Sequence, residues 1–257
     1  MTTIQEIVPV DMIYVLGAAS NCLQYEGVFA AGETQSQNLS HLHLLVLGRD
    51  NGGKECFRWQ DQIEQACFTI LPVTAIILET HTFYNWREKG HLFARKVVEQ
   101  GKLFFSEGSL EGSLMGKSDQ ETEKKMLDKQ YQDGLNKVRE FLAGADLYRI
   151  RRQNRMAAFM LHQSVEQALS TILKTHTGYY CCSHNLERLI RLTGMVTGLT
   201  EKVFPKNSDP EKKLFSLLQR AYIESRYGEE YVIHFTELMM LTDKAREMQK
   251  ILEDLHI

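Results

Sequence analysis

The sequence has no long apolar run and no excess of positive charge, and each absence excludes a class of protein. No hydrophobic stretch approaches the roughly 18 residues needed to span a bilayer, so we expect no membrane-spanning helix. The net charge is −3, from 30 basic and 33 acidic side chains, so no global positive field indicates nucleic-acid binding. Binding of that kind would have to rest on a local site.

The cysteines also lack a pattern that would indicate disulfides or a metal site. There are five, with no CxxC pair, and Cys181 and Cys182 are neighbours, a pairing that would make a strained disulfide. We therefore expect reduced thiols in a cytoplasmic protein. The first residues, MTTIQEIVPVD, contain two acids and no basic residue, which is not typical of an export signal.

Short apolar runs dominate the first part of the chain. Runs at 12–17, 43–48 and 73–79 are rich in β-branched and aliphatic residues and are bounded by Gly, Asp or Pro, which predicts three buried strands. Apolar residues at helical spacing in 59–70 predict a helix between the second and third strands. The pattern indicates a small α/β domain over residues 1–105.

The second part of the chain has helical periodicity. Residues 106–124 are rich in Gly, Ser and acids and predict a linker. Apolar residues three or four apart then predict amphipathic helices over 131–145, 158–172, 184–194, 209–227 and 231–255, with Ser183 and Asp209 as N-caps of the third and fourth. The fold expected is a two-domain α+β chain, with an all-α bundle over 125–257.

Three phrases in this helical half carry a family resemblance. They are Ala157-Ala158-Phe159 with His162-Gln163 and Glu166-Gln167-Ala168-Leu169, then His184-Asn185-Leu186, and finally AYIESRYGEE at 221–230. Together they resemble the HEPN domain, a small helical bundle of prokaryotes, over roughly 125–257. The resemblance implies a nucleotide- or RNA-related function and a homodimer formed through the helical domain.

Within the last phrase, a tyrosine and an arginine share one helical face. Tyr222 and Arg226 are four residues apart, so a phenol and a guanidinium can together stack on a base and bind a phosphate. With Tyr227 they are the main predicted ligand-binding residues, and Arg155 and His162 are added as candidates. The alternative is that Glu229, Glu230 or another carboxylate pairs with an inward-facing Arg226 while the tyrosines complete the core.

Nuclease members of the family carry an arginine followed, after four to six residues, by a histidine. Arg155 and His162 have six residues between them but stand at the start of the first long helix, where that motif does not belong. Arg226 and His234 have seven, which does not fit. No catalytic residue is therefore assigned, and two alternatives to simple binding stay open: a metal-independent ribonuclease acting as a dimer, and a non-catalytic protein-interaction module.

The first domain resembles the minimal nucleotidyltransferase fold with its metal ligands replaced. Residues 13–18 resemble the strand that ends in Gly-Ser but lack its Ser, and 40–44 resemble the Ser-Asp-x-Asp-Leu strand with His41 and His43 in place of both Asp. Thr74 stands where the third acid would be. Mg²⁺ requires hard carboxylate oxygens, so the resemblance implies a catalytically degenerate domain.

The same two histidines could instead suggest zinc, because residues two apart in a strand point to one side and imidazole is a good zinc ligand. Two ligands are too few, and a third from His81 or His91 is conjecture. We therefore predict no metal and no cofactor. The function expected is nucleotide or RNA binding by a HEPN domain fused to this degenerate domain.

Overall fold

A computed structural model describes residues 2–20, 24–29, 39–49, 56–107, 116 and 119–256. The chain divides into two compact units. The first comprises Met1–Gln120 with Met195–Gly198, and the second comprises Glu121–Gly194 with Leu199–Ile257. The first unit is mixed α and β, and the second is helical, in agreement with the α+β class expected from the sequence.

The first unit is built on a sheet whose described part has five strands. Its elements are α1 (Thr2–Gln5), β1 (Val10–Ser20), β2 (Gln24–Gly27), β3 (Leu39–Gly48), α2 (Cys56–Cys67), β4 (Val73–Glu79), α3 (Thr80–Glu88), α4 (Leu92–Gln100) and β5 (Lys102–Ser106). The three strands and the helix predicted from apolar runs are confirmed as β1, β3, β4 and α2. Strands β2 and β5 were not predicted, because QYEG is short and polar and the first three residues of KLFFS are exposed.

The sheet has the order β2-β1-β3-β4, and β5 also pairs with β1. Strand β1 is antiparallel to β2, β3 and β5, whereas β3 and β4 are parallel. A parallel pair needs a crossover connection, and α2 lies within it. The core of this unit includes Ile13, Val46 and Ala75 from the strands and Ile63 from α2, all at most 1% exposed.

The second unit contains six helices within its described residues. They are α5 (Gln120–Ile150), α6 (Asn154–Thr177), α7 (Leu186–Thr193), α8 (Leu199–Val203), α9 (Asp209–Tyr227) and α10 (Phe235–Asp254). Helix α5 begins inside the segment 106–124 that was predicted as a linker. No helix in the described part of the chain is long and apolar enough to cross a membrane.

Three helix starts differ from the sequence prediction. Helix α7 is capped by Asn185, whose side chain accepts from the Arg188 N–H at 3.1 Å, and not by Ser183. Helix α9 is capped by Ser208, whose N–H donates to Glu211 at 2.9 Å, so Asp209 is already helical. Helix α10 begins at Phe235, although apolar spacing continues back to a buried Tyr231, because a buried extended segment can also present apolar residues at such spacing.

Helix α6 is the central element of the helical unit and packs against α7, α9 and α10. Its small residues Ala157, Ala158 and Ala168 are buried, which permits the close helix approach expected from the sequence. Helix α5 also approaches closely at Gly134, where an added Cβ would lie 2.6 Å from Cγ2 of Thr171. These contacts fix the positions of the α6 and α9 side chains that form the candidate site.

Candidate functional site

Arg226 lies in the last turn of α9 and is exposed to solvent. Its guanidinium carbon is 4.8 Å from the ring centres of both Phe159 and Tyr222, and 5.0 Å from that of Tyr227. The guanidinium donates two hydrogen bonds to the carbonyl of Tyr222, at 2.9 Å from Nε and 2.5 Å from Nη2. The expected shared face of Tyr222 and Arg226 is confirmed.

The alternative of an inward-facing Arg226 paired with Glu229 or Glu230 does not agree with the structure. Among the residues that the structure describes, no carboxylate oxygen lies within 4.0 Å of its guanidinium. Arg226 does not incur the free-energy cost of burying a charge, because its guanidinium lies at the surface in contact with water and aromatic faces. Arg220, two turns earlier on α9, is different: its Nη2 lies 2.6 Å from Oε2 of Glu224.

Tyr222 joins Arg226 to two histidines. The ring of His184, from the segment before α7, stacks on Tyr222 with a centroid distance of 4.2 Å and an interplanar angle of 18°. The His162 ring lies 5.3 Å from Tyr222, and the Phe159 ring lies 6.5 Å away. We refer to Phe159, His162, His184, Tyr222, Arg226 and Tyr227 together as the Arg226 cluster.

Glu166 of α6 orients the exposed histidine of the cluster. Its Oε1 accepts from Nδ1 of His184 at 2.9 Å, and its Oε2 accepts from Nε2 of Gln163 at 3.2 Å. Burial raises the pKa of Glu166, and the hydrogen bond from His184 opposes that rise. The His184 side chain is 57% exposed, so a solvent-facing imidazole is held in place by a largely buried carboxyl group.

Comparison with known families agrees with the phrases that gave the resemblance. The family model of the HEPN domain matches residues 131–255. The helical half of the chain therefore contains a HEPN domain. No curated protein matches the chain. The match covers helices α6 to α10 and most of α5, and every residue of the Arg226 cluster lies within it.

His162 lies inside the HEPN domain and is completely buried. Burial lowers its pKa to about 4; the backbone of His184 opposes this change, and the charges of His184 and Arg226 add to it. The imidazole is therefore neutral at pH 7 and does not face solvent. His162 contributes to the cluster as an uncharged, buried ring 5.3 Å from that of Tyr222, and its contact with a ligand stays a prediction.

Arg155 holds the HEPN domain together and does not join the Arg226 cluster. Its Nη2 donates to the carbonyl of Glu224 at 3.0 Å and to the carbonyl of Gly228, at the C-terminal end of α9. The Glu224 carbonyl also accepts from the Gly228 N–H at 2.9 Å, so the guanidinium adds a second donor at this helix end. His234, the other histidine considered for a nuclease motif, caps α10 and its N–H donates to Glu237.

Sequence reasoning assigned no place in the site to Phe159, Glu166 and His184, which served there only as part of the family resemblance. A signal was present, because Phe159, His162 and Glu166 are spaced three and four apart and therefore share one face of α6. What the sequence could not supply was the contact of that face with α9 and with the segment before α7. Those contacts depend on tertiary packing.

In the first unit, His41, His43 and Thr74 lie side by side. His43 pairs with Thr74 in the β3–β4 register, and His41 Nε2 is 2.8 Å from Thr74 Oγ1. The two histidine rings are 4.9 Å apart. His43 is 3% exposed and Thr74 is 0% exposed, whereas His41 is half-buried. Within the described residues no group of three His, Cys, Asp or Glu side chains could hold a metal ion.

Proposed function

We propose that the HEPN domain binds a nucleotide or a single-stranded RNA segment at the Arg226 cluster. The observation that carries this proposal is the exposed guanidinium of Arg226, which lies over three aromatic rings and has no carboxylate within 4.0 Å among the described residues. A cation of this kind is suited to a phosphate, and the neighbouring rings are suited to stacking on a base.

The geometry of the guanidinium leaves it able to accept such a ligand. An arginine has five N–H donors, and the bonds from Nε and Nη2 to Tyr222 use two of them. These bonds also fix the guanidinium plane, so little additional ordering is needed when a phosphate binds. Tyr227 is 75% exposed and Tyr222 is half-buried. The guanidinium therefore lies between one aromatic ring that faces solvent and one that is packed against the protein.

Calorimetric titration of the full chain with ATP, GTP and a short oligouridylate tests this proposal. We expect Arg226→Ala to weaken binding by about 1.5–3 kcal/mol, the contribution of a charge-assisted hydrogen bond. Arg220→Ala is the matched control, because it removes the same side chain from the same helix but one whose charge is met by Glu224. The proposal is wrong if the wild type binds none of the ligands, or if the two variants lose affinity equally.

We also infer that the first unit is a nucleotidyltransferase-like domain that has lost its activity. Its support is the proximity of His41, His43 and Thr74 on neighbouring strands, at the positions that the resemblance aligns with metal carboxylates. Without those acids no cage holds the two metal ions of nucleotidyl transfer. We expect no Mg²⁺-dependent incorporation of label from nucleoside triphosphates; incorporation that is lost in His43→Ala would contradict the inference.

HEPN domains commonly dimerise, and we propose a homodimer formed through this domain. Its support is a set of large apolar side chains that the helical unit leaves exposed: Leu147, Ile150, Ile223, Val232, Phe235 and Met240. Light scattering should give twice the chain mass of 29.7 kDa at micromolar concentration. A mass near that of one chain would remove this proposal without affecting the binding site.

A second candidate function, a metal-independent ribonuclease, is favoured by the hydrogen bond between Glu166 and His184. Nε2 of His184 could take the proton of a ribose 2′-hydroxyl while the 2′-oxygen attacks the adjacent phosphorus. The 5′-oxygen would then leave with a proton from water, and a 2′,3′-cyclic phosphate would remain. Cleavage of RNA in the presence of a chelator, abolished by His184→Gln, would establish this function. Intact RNA would exclude it.

A further inference from the structure

The turn between α5 and α6 places an arginine in a backbone conformation that favours glycine. Arg152 has a φ of 59°, the one positive value at a non-glycine residue in the described part of the chain. Its N–H donates to the Arg149 carbonyl at 2.9 Å, and the Gln153 N–H donates to the Tyr148 carbonyl at 2.9 Å. This pair of bonds is the Schellman motif that ends a helix, in which glycine is the preferred residue at the left-handed position.

An arginine is unfavourable there because its Cβ crowds the following carbonyl oxygen in the left-handed region. The backbone hydrogen bonds would form equally well with glycine, which has no Cβ. The arginine backbone therefore adds no stability to the turn that glycine would lack. An interaction of the arginine side chain is what can compensate for the backbone strain.

Two arginines of this turn have no carboxylate partner in the part of the chain that the structure describes. Residues 149–155 contain four arginines and no acid. The nearest preceding acid is Asp146, whose carboxylate is occupied by Arg149 at 3.2 Å and by Arg246 at 3.1 Å. Arg151 and Arg152 are both exposed, and no carboxylate among the described residues lies within 4.0 Å of either guanidinium.

The turn immediately precedes the helix that carries Phe159 of the Arg226 cluster. Arg152 lies two residues before the first residue of α6 and Phe159 lies five residues after it, and those five residues correspond to about 7.5 Å of helix rise. Arg155 lies on the same face as Phe159, and its bonds to the carbonyls of Glu224 and Gly228 hold this end of α6 beside the end of α9 that carries Arg226. A chain of phosphates could therefore extend from the cluster to the turn.

We propose that Arg151 and Arg152 form a second phosphate subsite, so that the ligand of the HEPN domain is a single-stranded nucleic acid longer than one nucleotide. The proposal rests on the function proposed for the Arg226 cluster. One nucleotide stacks on the aromatic rings of the cluster, and the phosphate of a neighbouring nucleotide lies at the turn. The combination of stacking surfaces with arginines along one path is the arrangement that binds single strands.

The competing explanation is that these arginines only interact with the C-terminal end of the α5 dipole. The two explanations predict opposite results for Arg152→Gly. If the arginine serves the helix end, its removal lowers the melting temperature and leaves ligand affinity unchanged. If it binds phosphate, the melting temperature stays the same or rises because the backbone strain is relieved, and affinity for a strand falls.

The experiment compares a short oligouridylate with UMP on the full chain. Affinity for the labelled strand is measured by fluorescence anisotropy at several salt concentrations, and affinity for UMP is measured by calorimetry. We expect Arg152→Gly and Arg151→Gln each to weaken strand binding about five-fold. Each should also reduce the slope of log affinity against log salt concentration by about 0.7, the value for one phosphate contact with a single strand. UMP affinity should not change.

Lys137→Gln is the control, because it removes one exposed positive charge from the middle of α5 and should alter neither slope nor affinity. If the wild type binds UMP but Arg151→Gln and Arg152→Gly leave strand affinity and salt slope unchanged, the second subsite is disproved and the Arg226 site stands. If the wild type binds neither UMP nor the strand, the proposed function itself fails. The same strand made of deoxynucleotides shows whether the 2′-hydroxyl contributes.

Discussion

The two units of this protein place histidines beside hydroxyl groups in opposite environments. In the sheet, His43 and Thr74 are buried, and His41 is hydrogen-bonded to Thr74. In the HEPN domain, His184 lies on the exposed ring stack of Tyr222 beside a solvent-facing guanidinium. Residue type alone therefore does not identify a binding site. His43 and Thr74 are closed to solvent, whereas His184 and Arg226 are open to it.

Introducing a carboxylate at the buried His43 should produce the largest effect. His43→Asp places an acid where the present side chain is 3% exposed, so we expect a loss of unfolding free energy of about 3–5 kcal/mol at pH 7, the cost of an uncompensated buried charge. Chemical denaturation measures it. The loss should become smaller as the pH falls from 7 towards about 4, because a buried aspartate has a raised pKa and is protonated in that range, whereas the unfolded chain takes up the proton only near pH 3.9.

His43→Asn is the matched control, since it has nearly the same shape as aspartate but no charge. It should cost clearly less than His43→Asp at pH 7, and the two should converge in acid. Equal losses at both pH values would show that this position is less enclosed than its burial indicates, and the comparison with the HEPN domain would fail.

A second effect of burial is expected within the HEPN domain, at His162. Its pKa is lowered to about 4 in the folded protein, against about 6.5 in the unfolded chain. Between these values the unfolded state binds more protons, so stability is complete above about pH 6.5 and is lost as the pH falls. From pH 7 to pH 5 the loss should be about 2 kcal/mol.

His162→Gln cannot titrate and should lack most of this dependence. Glu166, Arg226 and His184 face the same site, and the raised pKa of Glu166 acts in the opposite direction because its contribution is lost as the pH rises. Comparing the wild type with His162→Gln cancels the pH-dependent contributions of the other groups, which both proteins share. If the variant loses stability in acid as steeply as the wild type, another group is responsible.

The sequence predicted the elements better than the sites. Apolar runs and helical spacing were sufficient for β1, β3, β4 and the long helices, because burial of a continuous face sets that periodicity. They were insufficient for β2, which is short and polar, and for the start of α10, because buried Tyr231 precedes the helix. The spacing of apolar residues indicates which residues are buried, and residues outside helices and strands are buried too.

For the site, spacing within one helix succeeded and packing between helices could not be foreseen. Tyr222 and Arg226 lie together because four residues make about one turn. Spacing could not decide between a ligand-facing Arg226 and the alternative of an inward-facing one, and it could not place Arg155, because sequence does not show which helix stands opposite. Arg155 serves the carbonyls of α9, and His184 reaches Tyr222 from a separate segment.

Replacing glycine by alanine at two positions of α5 tests the contrast between a closely packed and an open position, with smaller expected changes in stability. Gly134→Ala places a Cβ 2.6 Å from Cγ2 of Thr171, and the Thr171 hydroxyl donates a 2.7 Å hydrogen bond to the Gln167 carbonyl that hinders its movement. We therefore expect the free energy of unfolding to fall by about 1–2 kcal/mol. Gly144→Ala meets only Met160, at 3.4 Å from Sδ, and should stabilise by about 0.5–1 kcal/mol through helix propensity. Thermal unfolding distinguishes the two, and a gain at both positions would show that α5 and α6 can separate easily.

The smallest effect on stability is expected at Arg226, although its effect on binding should be the largest among these residues. The guanidinium is exposed, it contacts aromatic faces, and its two hydrogen bonds go to a carbonyl of its own helix, so Arg226→Ala should change the unfolding free energy by less than about 1 kcal/mol. Thermal melting beside the binding titration checks this value. A variant that melts many degrees lower would mean that Arg226 holds α9 against α6 through Phe159, and its loss of binding would then follow from a damaged fold. A variant that melts like the wild type but no longer binds would separate the two roles. Arg226 would then contribute little to the stability of the fold and would act by contacting the ligand.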